Sequence, residues 1–572
     1  MSSGRNPGNF LALLKVFAET DPVLQSHLRR PRLRNATYLS PRIQSEVISI
    51  IGYDILQAGI VRDIKDSLFF SVLADEAASH NVEHLALCLR FVDQSCDIRE
   101  EFVAFVKLQR VRASDISSAI LGCLDKIGLS ISGLRGQGYD GASAMSGEKS
   151  GVQKLIIDKQ PKAFYTHCAG HSLNLVVVKA CAVPAIRNCI ASINNFTIWV
   201  KYSPKQEALL KAITERSQQQ GISRSRTPLI NVCITRWVEN IDGWERFCQA
   251  HPSLVEMCEV ILYGDASYNE FNDGWTAEDK RNAMAHLKVL ESFEFIYTLV
   301  VLQRTLLYFR QAAVQLQGKS EDIASGVALV QDCLGEVKNL RFAGVSDYSR
   351  RVFEHASRIA AKSDIAVSMP RVSKRQQHRS NVPADTPEEY MQRSVLIPFL
   401  DHLIMDMNSR FEKHVEKASK IEGLLPTKLS PETTFDSIRE AVELYSSDLP
   451  DPEVVDEEFS RWKSKGTAVL VSERPASLQD CLKACSPDRF PNLFTLLKLF
   501  AVLPLSSASC ERSASSLRRL NTYLRCSQTE ERLTSLALIH ADSTTDVDAK
   551  QVCKLFVEKH PRRLQGASLL FD

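Results

Sequence analysis

A chain of 572 residues is too long for one ordinary hydrophobic core, so two to four domains are expected. Its hydrophobic fraction of 44% and charged fraction of 24% are those of an ordinary folded protein, and a net charge of +2 supplies no global basic field for nucleic acid. Fifteen cysteines lie scattered without a Cys-x-x-Cys pair, several in apolar runs (Cys88, Cys181, Cys258), which argues for buried thiols in a reducing compartment and against a disulfide framework or a zinc finger. The N-terminal Met1-Ser2-Ser3-Gly4-Arg5 has no apolar signal core. The longest membrane candidate, Phe295–Leu307, is interrupted by Gln303 and Arg304, so a soluble nuclear or cytosolic protein without membrane contact is expected.

Residues 8–64 read as helical, with Ser40-Pro41 as cap and first turn before Ile43, Val47, Ile50 and Ile51. Ser67–Asp75 is then a short β-prone run ending in an acid. His84–Asp93 alternates Leu85, Leu87, Leu89 and Phe91, and Ile98–Leu108 carries Phe102, Val103, Phe105 and Val106. Three such strands with polar turns predict an antiparallel meander. A helix over Ser114–Ile127 follows, capped by Ser114, with Ile116, Ile120, Leu121 and Leu124 on one stripe. Strand Leu134–Tyr139, helix Glu148–Asp158, strand Ala163–Cys168 and helix His171–Ala182 complete the order β-β-β-α-β-α-β-α, which matches an RNase H-like fold. Open α/β sheets gather their functional groups at the carboxyl ends of strands, where Asp75 and Asp140 are expected.

From about residue 185 to 480 the pattern is helical, with Met284–Arg310 and Leu396–His414 as the clearest helices. Ser363–Gln392 carries Arg371, Lys374, Arg375, His378 and Arg379 among Pro and Ser and reads as a flexible basic loop. Leu478–Ala541 is apolar and helical again, through Leu493, Leu496, Leu497 and Phe500, then Leu517, Leu520 and Leu524, then Leu533, Leu536 and Leu538. No internal repeat is visible. The expected division is a helical segment at 1–64, the first part of a sheet core at 65–184, and a helical insertion at 185–480 with its loop at 363–392. A C-terminal helical region at 481–545 then completes the core, and 546–572 forms a tail.

Three acids stand out. Asp75 closes the first apolar run, Asp140 sits in Gly136-Gln137-Gly138-Tyr139-Asp140-Gly141, and Glu511 sits in Ser509-Cys510-Glu511-Arg512-Ser513. Carboxylates brought together repel unless cations lie between them, and Mg²⁺ takes such hard oxygens while keeping several waters. Taken singly, each acid has a plain explanation as a strand-end, turn or helix residue. Cys168-Ala169-Gly170-His171 supplies only half a zinc set and reads as a strand–helix junction. Thr235-Arg236-Trp237 pairs a ring for an unstacked base with a guanidinium for a phosphate, although a core Trp beside a solvated Arg explains it too. Arg512 with Arg519, and Arg518 with Arg525, are seven apart and form either a basic stripe or a solvated helix face.

In this order, the motifs resemble those of the hAT transposase superfamily, in the branch of zinc-finger MYM-type-like and related domesticated transposase proteins. Ser71-Val72-Leu73-Ala74-Asp75-Glu76 looks like the first catalytic strand, and Gly136 through Gly147 like the second-Asp motif. His167-Cys168-Ala169-Gly170-His171 is similar to the family's Cys-x-x-His segment, and Arg236-Trp237 to its Arg-Trp motif. Ser507 through Ser513 with Leu517–Leu538 looks like the C-terminal dimerisation region. The resemblance covers nearly the whole chain from about residue 8. It implies an RNase H-like catalytic domain interrupted by a large all-helical insertion, with a C-terminal helical dimerisation region.

The resemblance also implies Mg²⁺ or Mn²⁺ on Asp75, Asp140 and Glu511, no structural zinc, and Arg236 with Trp237 at a flipped base. DNA, a second copy of the chain and chromatin or transcription-factor proteins are the implied partners, in the nucleus. Departures are Ala77-Ala78-Ser79 after the first acids, Ala514 in place of a Phe, and an expected absence of the N-terminal zinc-binding DNA-recognition module. Two readings follow: a domesticated or remnant DNA-associated dimer, or an active metal-dependent transposase performing cut-and-paste strand transfer.

Overall fold

Strands β1 (Phe70–Ser79), β2 (Val82–Val92) and β3 (Ile98–Leu108) form the antiparallel meander that their alternation predicts. With β4 (Leu134–Tyr139) and β5 (Phe164–His167) they make a five-stranded sheet of order β3-β2-β1-β4-β5. This computed structural model describes residues 8–29, 38–219, 241–318, 322–370, 382–522, 528–543 and 545–560. Six helices matter below: α1 (Ala169–Ala180), α2 (Phe293–Gln315), α3 (Val345–Ala361), α4 (Ile397–Ser419), α5 (Ala508–Leu520) and α6 (Glu530–Ala541).

The chain is mixed α/β and divides into two units. Met1–Gln137, Ser143–Phe164 and Ser509–Asp572 form the first, and Gly138–Ala142 with Tyr165–Ala508 the second. The main breaks therefore fall at 164/165 and 508/509, where 184/185 and 480/481 were expected.

In the first unit β1 runs further than its apolar residues suggest. The β1–β2 ladder continues past Asp75↔Ala86 to Ser79↔Val82. His80 and Asn81 close it with φ of 49° and 60°, the left-handed pair that a two-residue hairpin of this twist requires. Asp75 thus sits in mid-strand, not at a strand end. Its position was misread because Glu76-Ala77-Ala78-Ser79 lacks the apolar alternation of the first half.

A bulge interrupts the β2–β3 pairing, where Leu87 faces Ala104 but Cys88 faces Phe102. The displaced Val103 carbonyl accepts from Gln57 Nε2 at 2.8 Å, and the Phe105 N–H donates to Thr534 Oγ1 on α6 at 3.2 Å. Side chains thus satisfy backbone groups on the open edge of β3. Gly52 makes room for α6, since a Cβ there would meet the Ser535 Cα at 2.7 Å. Ser40 caps the helix Pro41–Ser49 as expected, its Oγ accepting from the Ile43 N–H at 3.3 Å.

Other boundaries shift by a turn or less. The helix expected from Ser114 spans Ala113–Lys126 and has Arg112, not Ser114, at its cap position. Glu148–Asp158 shortens to Val152–Ile157, and His171–Ala182 becomes α1, which begins at Ala169 because Cys168 caps it.

The second unit is almost wholly helical. The expected Met284–Arg310 helix is broken: Ala277–Leu290 ends, Ser292 is extended (φ −81°, ψ 120°), and α2 starts at Phe293. A Ser before an apolar run is a start signal, and it overrides the apparent periodicity. Phe295, Ile296, Tyr297, Leu299, Val300, Val301 and Leu302 are all buried, so α2 is a core helix. Among the described residues no single helix is long and apolar enough to cross a membrane. Arg371 through Arg379 of the expected basic loop lie outside the described residues, as do Leu524 and Arg525.

Candidate functional site

Strand parity decides what meets α5. Ser71, Leu73, Asp75, Ala77 and Ser79 share one face of β1. The register sets Arg90, Cys88, Ala86, His84 and Val82 beside them on β2, and Glu100 beside Arg90 on β3. Helix α5 is tied to this face along its length. At its start Ser509 Oγ donates to Glu100 Oε2; one turn on, Ser513 Oγ lies 3.8 Å from Cys88 Sγ. Just beyond its end Asn521 Nδ2 donates to Ser79 Oγ at 3.1 Å, and the Asn521 carbonyl meets His80 Nε2 at 2.7 Å.

Under the first turn lies a buried ion pair. Arg90 Nη1 is 2.7 Å from Glu100 Oε1, and the two side chains are 1% and 2% exposed. Arg512 Nη2 donates to the same Ser509 hydroxyl at 2.7 Å. The Cys510 thiol beside them is pushed well above its ordinary range, by burial first, then by Cys88 and by the carboxylates of Asp75 and Glu100. Asp75 is therefore within electrostatic reach of the turn that carries Glu511, and both acids are half-buried. Arg90 and Glu100 were not singled out in the sequence; the available signal was opposite charges at facing positions of an antiparallel pair.

Asp140 belongs to the second unit, one residue beyond β4. Its Oδ1 accepts the Ala142 N–H at 3.1 Å, and its carbonyl accepts from the Tyr165 hydroxyl at 3.0 Å. The next residue must be small, because a Cβ on Gly141 would sit 2.5 Å from His167 Nε2. Burial, then His171 and His414, lowers His167 to about 4, and His414 falls to about 4 chiefly through burial. Lys417 on α4 is lowered by burial to about 8; it donates to the Tyr165 carbonyl and, at 3.2 Å, to Thr166 Oγ1. Both His167 and His414 are thus neutral at pH 7.

Cys168 forms the junction between β5 and α1. Its Sγ accepts the N–H of His171 at 3.4 Å and of Ser507 at 3.2 Å, while its own N–H donates to the Tyr139 carbonyl at 3.0 Å. The thiol thus serves as a helix cap. Cys168→Ala leaves two N–H donors without this acceptor and is expected to cost about 2 kcal/mol, with Cys168→Ser costing less. Urea unfolding checks this; equal midpoints for Cys168→Ala and wild type refute the capping role.

Arg236 and Trp237 lie outside the described residues. Carboxylate oxygens suit Mg²⁺ or Mn²⁺ chemically, but among the described residues no three His, Cys, Asp or Glu side chains are grouped to hold a metal ion. The apolar stripe Leu493, Leu496, Leu497 and Phe500 is buried within the second unit.

These features agree with what the chain resembles. Residues 475–544 match the hAT family C-terminal dimerisation region, and residues 1–151 match the ZMYM1/FAM200 RNase-like domain. Among individual proteins it is similar to the human "52 kDa repressor of the inhibitor of the protein kinase", at 27% identity over 562 residues that cover 95% of this chain and 71% of that one. The mouse protein of the same description is 27% identical over 556 residues, with the same coverage.

Proposed function

We propose that this chain acts as a DNA-associated dimer in the nucleus, in transcriptional repression with chromatin or transcription-factor partners, and not as a working cut-and-paste transposase. One observation carries the reading: a hAT dimerisation region coexists with similarity along 95% of the chain to a protein named as a repressor. The strand order and the way the first unit is interrupted by Tyr165–Ala508 support an RNase H-like core with a helical insertion. Within that core α5 serves as a structural strut across the sheet. The alternative reading, strand cleavage by Asp75, Asp140 and Glu511 with Mg²⁺ or Mn²⁺, draws support from the nearness of Asp75 to the turn bearing Glu511.

Three measurements on the purified full chain test this. Light scattering is expected to give twice the 64.1 kDa chain mass, and mobility shift is expected to show duplex DNA binding. Supercoiled DNA in Mn²⁺ is expected to be nicked no faster by wild type than by Asp75→Ala. A monomer that ignores DNA defeats the proposal, and nicking that Asp75→Ala abolishes establishes the alternative.

A further inference from the structure

Within the second unit, α2 and α3 enclose a cleft of about 350 Å³ lined by Gln303, Arg304, Leu307, Tyr308, Tyr348, Arg351 and His355. Its charge is one-sided. Arg304 Nε donates to His355 Nδ1 at 3.1 Å, so that nitrogen is an acceptor and the imidazole is neutral, with its proton on Nε2. Among the described residues Arg304 makes no ion pair with a carboxylate, and no carboxylate lines the cleft. Burial and then the charges of Arg304, Arg358 and Lys362 lower His355 to about 4, consistent with a locally positive field. Arg351, on the rim, has its Nε 3.1 Å from Asp347 Oδ2.

Keeping a half-buried guanidinium against an imidazole, with no acid to balance it, costs stability unless an anion arrives. The remaining wall is suited to more than an inorganic ion. Tyr348 is fixed by its hydroxyl contact with Thr305 Oγ1 at 3.0 Å. Tyr308 and Leu307 offer apolar surface, and Gln303 Oε1 is buried with no hydrogen-bond partner among the described residues. A guanidinium fork matches phosphate oxygens, an aromatic ring accepts a base face, and an orphaned amide oxygen accepts a base N–H. The volume is that of a small-ligand site.

We propose that this cleft binds a nucleotide, with its phosphate on Arg304, Arg351 and the His355 Nε2–H, and its base against Tyr308 and Gln303. The ligand is either a free nucleotide or one unit of a single DNA strand. The inference concerns the second unit alone and does not rest on the proposed repressor function.

The test uses the full chain, a fluorescein-labelled oligothymidylate read by anisotropy, and dTMP and inorganic phosphate as competitors. Wild type is expected to bind the oligonucleotide, and Arg304→Met and Arg351→Met are each expected to weaken binding about tenfold. Competition by dTMP identifies a mononucleotide site; no competition, with the variants still weakened, identifies a strand-reading site. Arg351 is exposed, so its substitution keeps the test sound if Arg304→Met fails to fold. Wild type and Arg351→Met binding alike, or no binding of either probe at about 1 mM, overturns the proposal.

Discussion

Raising the pH from 8 to 10 under reducing conditions is expected to unfold the second unit while the first retains its β1–β2–β3 meander. Six buried thiols of the second unit have their pKa raised by burial: Cys181 and Cys333 to about 12, and Cys189, Cys248, Cys258 and Cys481 well up. Unfolded, each ionises near the ordinary value of 9.0. A folded value above the unfolded one means stability is complete below about pH 9 and is lost as the pH climbs towards the folded value. The loss is about 1.4 kcal/mol per thiol per pH unit.

At pH 10 the six thiols together cost about 8 kcal/mol. Lys417 works in the opposite sense: its folded value of about 8 lies below the ordinary 10.5, so it returns about 2–3 kcal/mol over the same interval. The net loss is comparable to the whole stability of a domain. In the first unit burial raises Cys123 and Cys510. All five tryptophans lie within Tyr165–Ala508, so their fluorescence reports the second unit alone. Emission unchanged to about pH 11 refutes the expectation, and Cys248→Ala with Cys258→Ala should move the midpoint upward.

Glu100→Ala is expected to have the largest effect of any single substitution in the first unit, about 3–5 kcal/mol. It leaves the Arg90 guanidinium, 1% exposed, without its carboxylate, and it removes the acceptor of Ser509. Apolar replacement of both members, Arg90→Leu with Glu100→Leu, should recover most of the loss, because the cost comes from removing the carboxylate that balances a buried charge. Chemical denaturation of Arg90→Leu, Glu100→Leu and the double variant measures the coupling. Hydrogen exchange over 509–513 should rise in Glu100→Ala if the pair also holds the turn bearing Glu511; unchanged exchange there, with stability lost, separates the two roles.

Local periodicity made the meander, the alternating helices that follow and the helical second unit legible. Period-two alternation in Leu85, Leu87, Leu89 and Phe91 marks a strand, although β2 proves buried on both faces because α5 covers the side bearing Cys88 and Arg90. What escaped depended on residues without a strong local signature. His80-Asn81 is not one of the usual hairpin pairs, so the continuation of β1 beyond Asp75 was invisible. The acids were legible as candidates, but the turn beneath Glu511 is built by Glu100 and Cys88, more than 400 positions earlier in the chain. Cys168 was legible as a strand–helix junction, but not that its sulfur accepts backbone N–H groups, one of them from Ser507, 339 positions later.

The interrupted first unit has a consequence for biosynthesis. The face formed by Ser71, Cys88, Arg90 and Glu100 is covered only when α5 emerges from the ribosome. Between Phe164 and Ser509 about 340 residues are made, which at about 5–20 residues per second takes roughly 17–70 s. Throughout that interval a nascent sheet carries an uncovered ion pair and apolar face, the kind of surface that chaperones bind. A premature stop before residue 509 makes this state permanent, so truncated transcripts should yield a degraded polypeptide and not a shorter working protein.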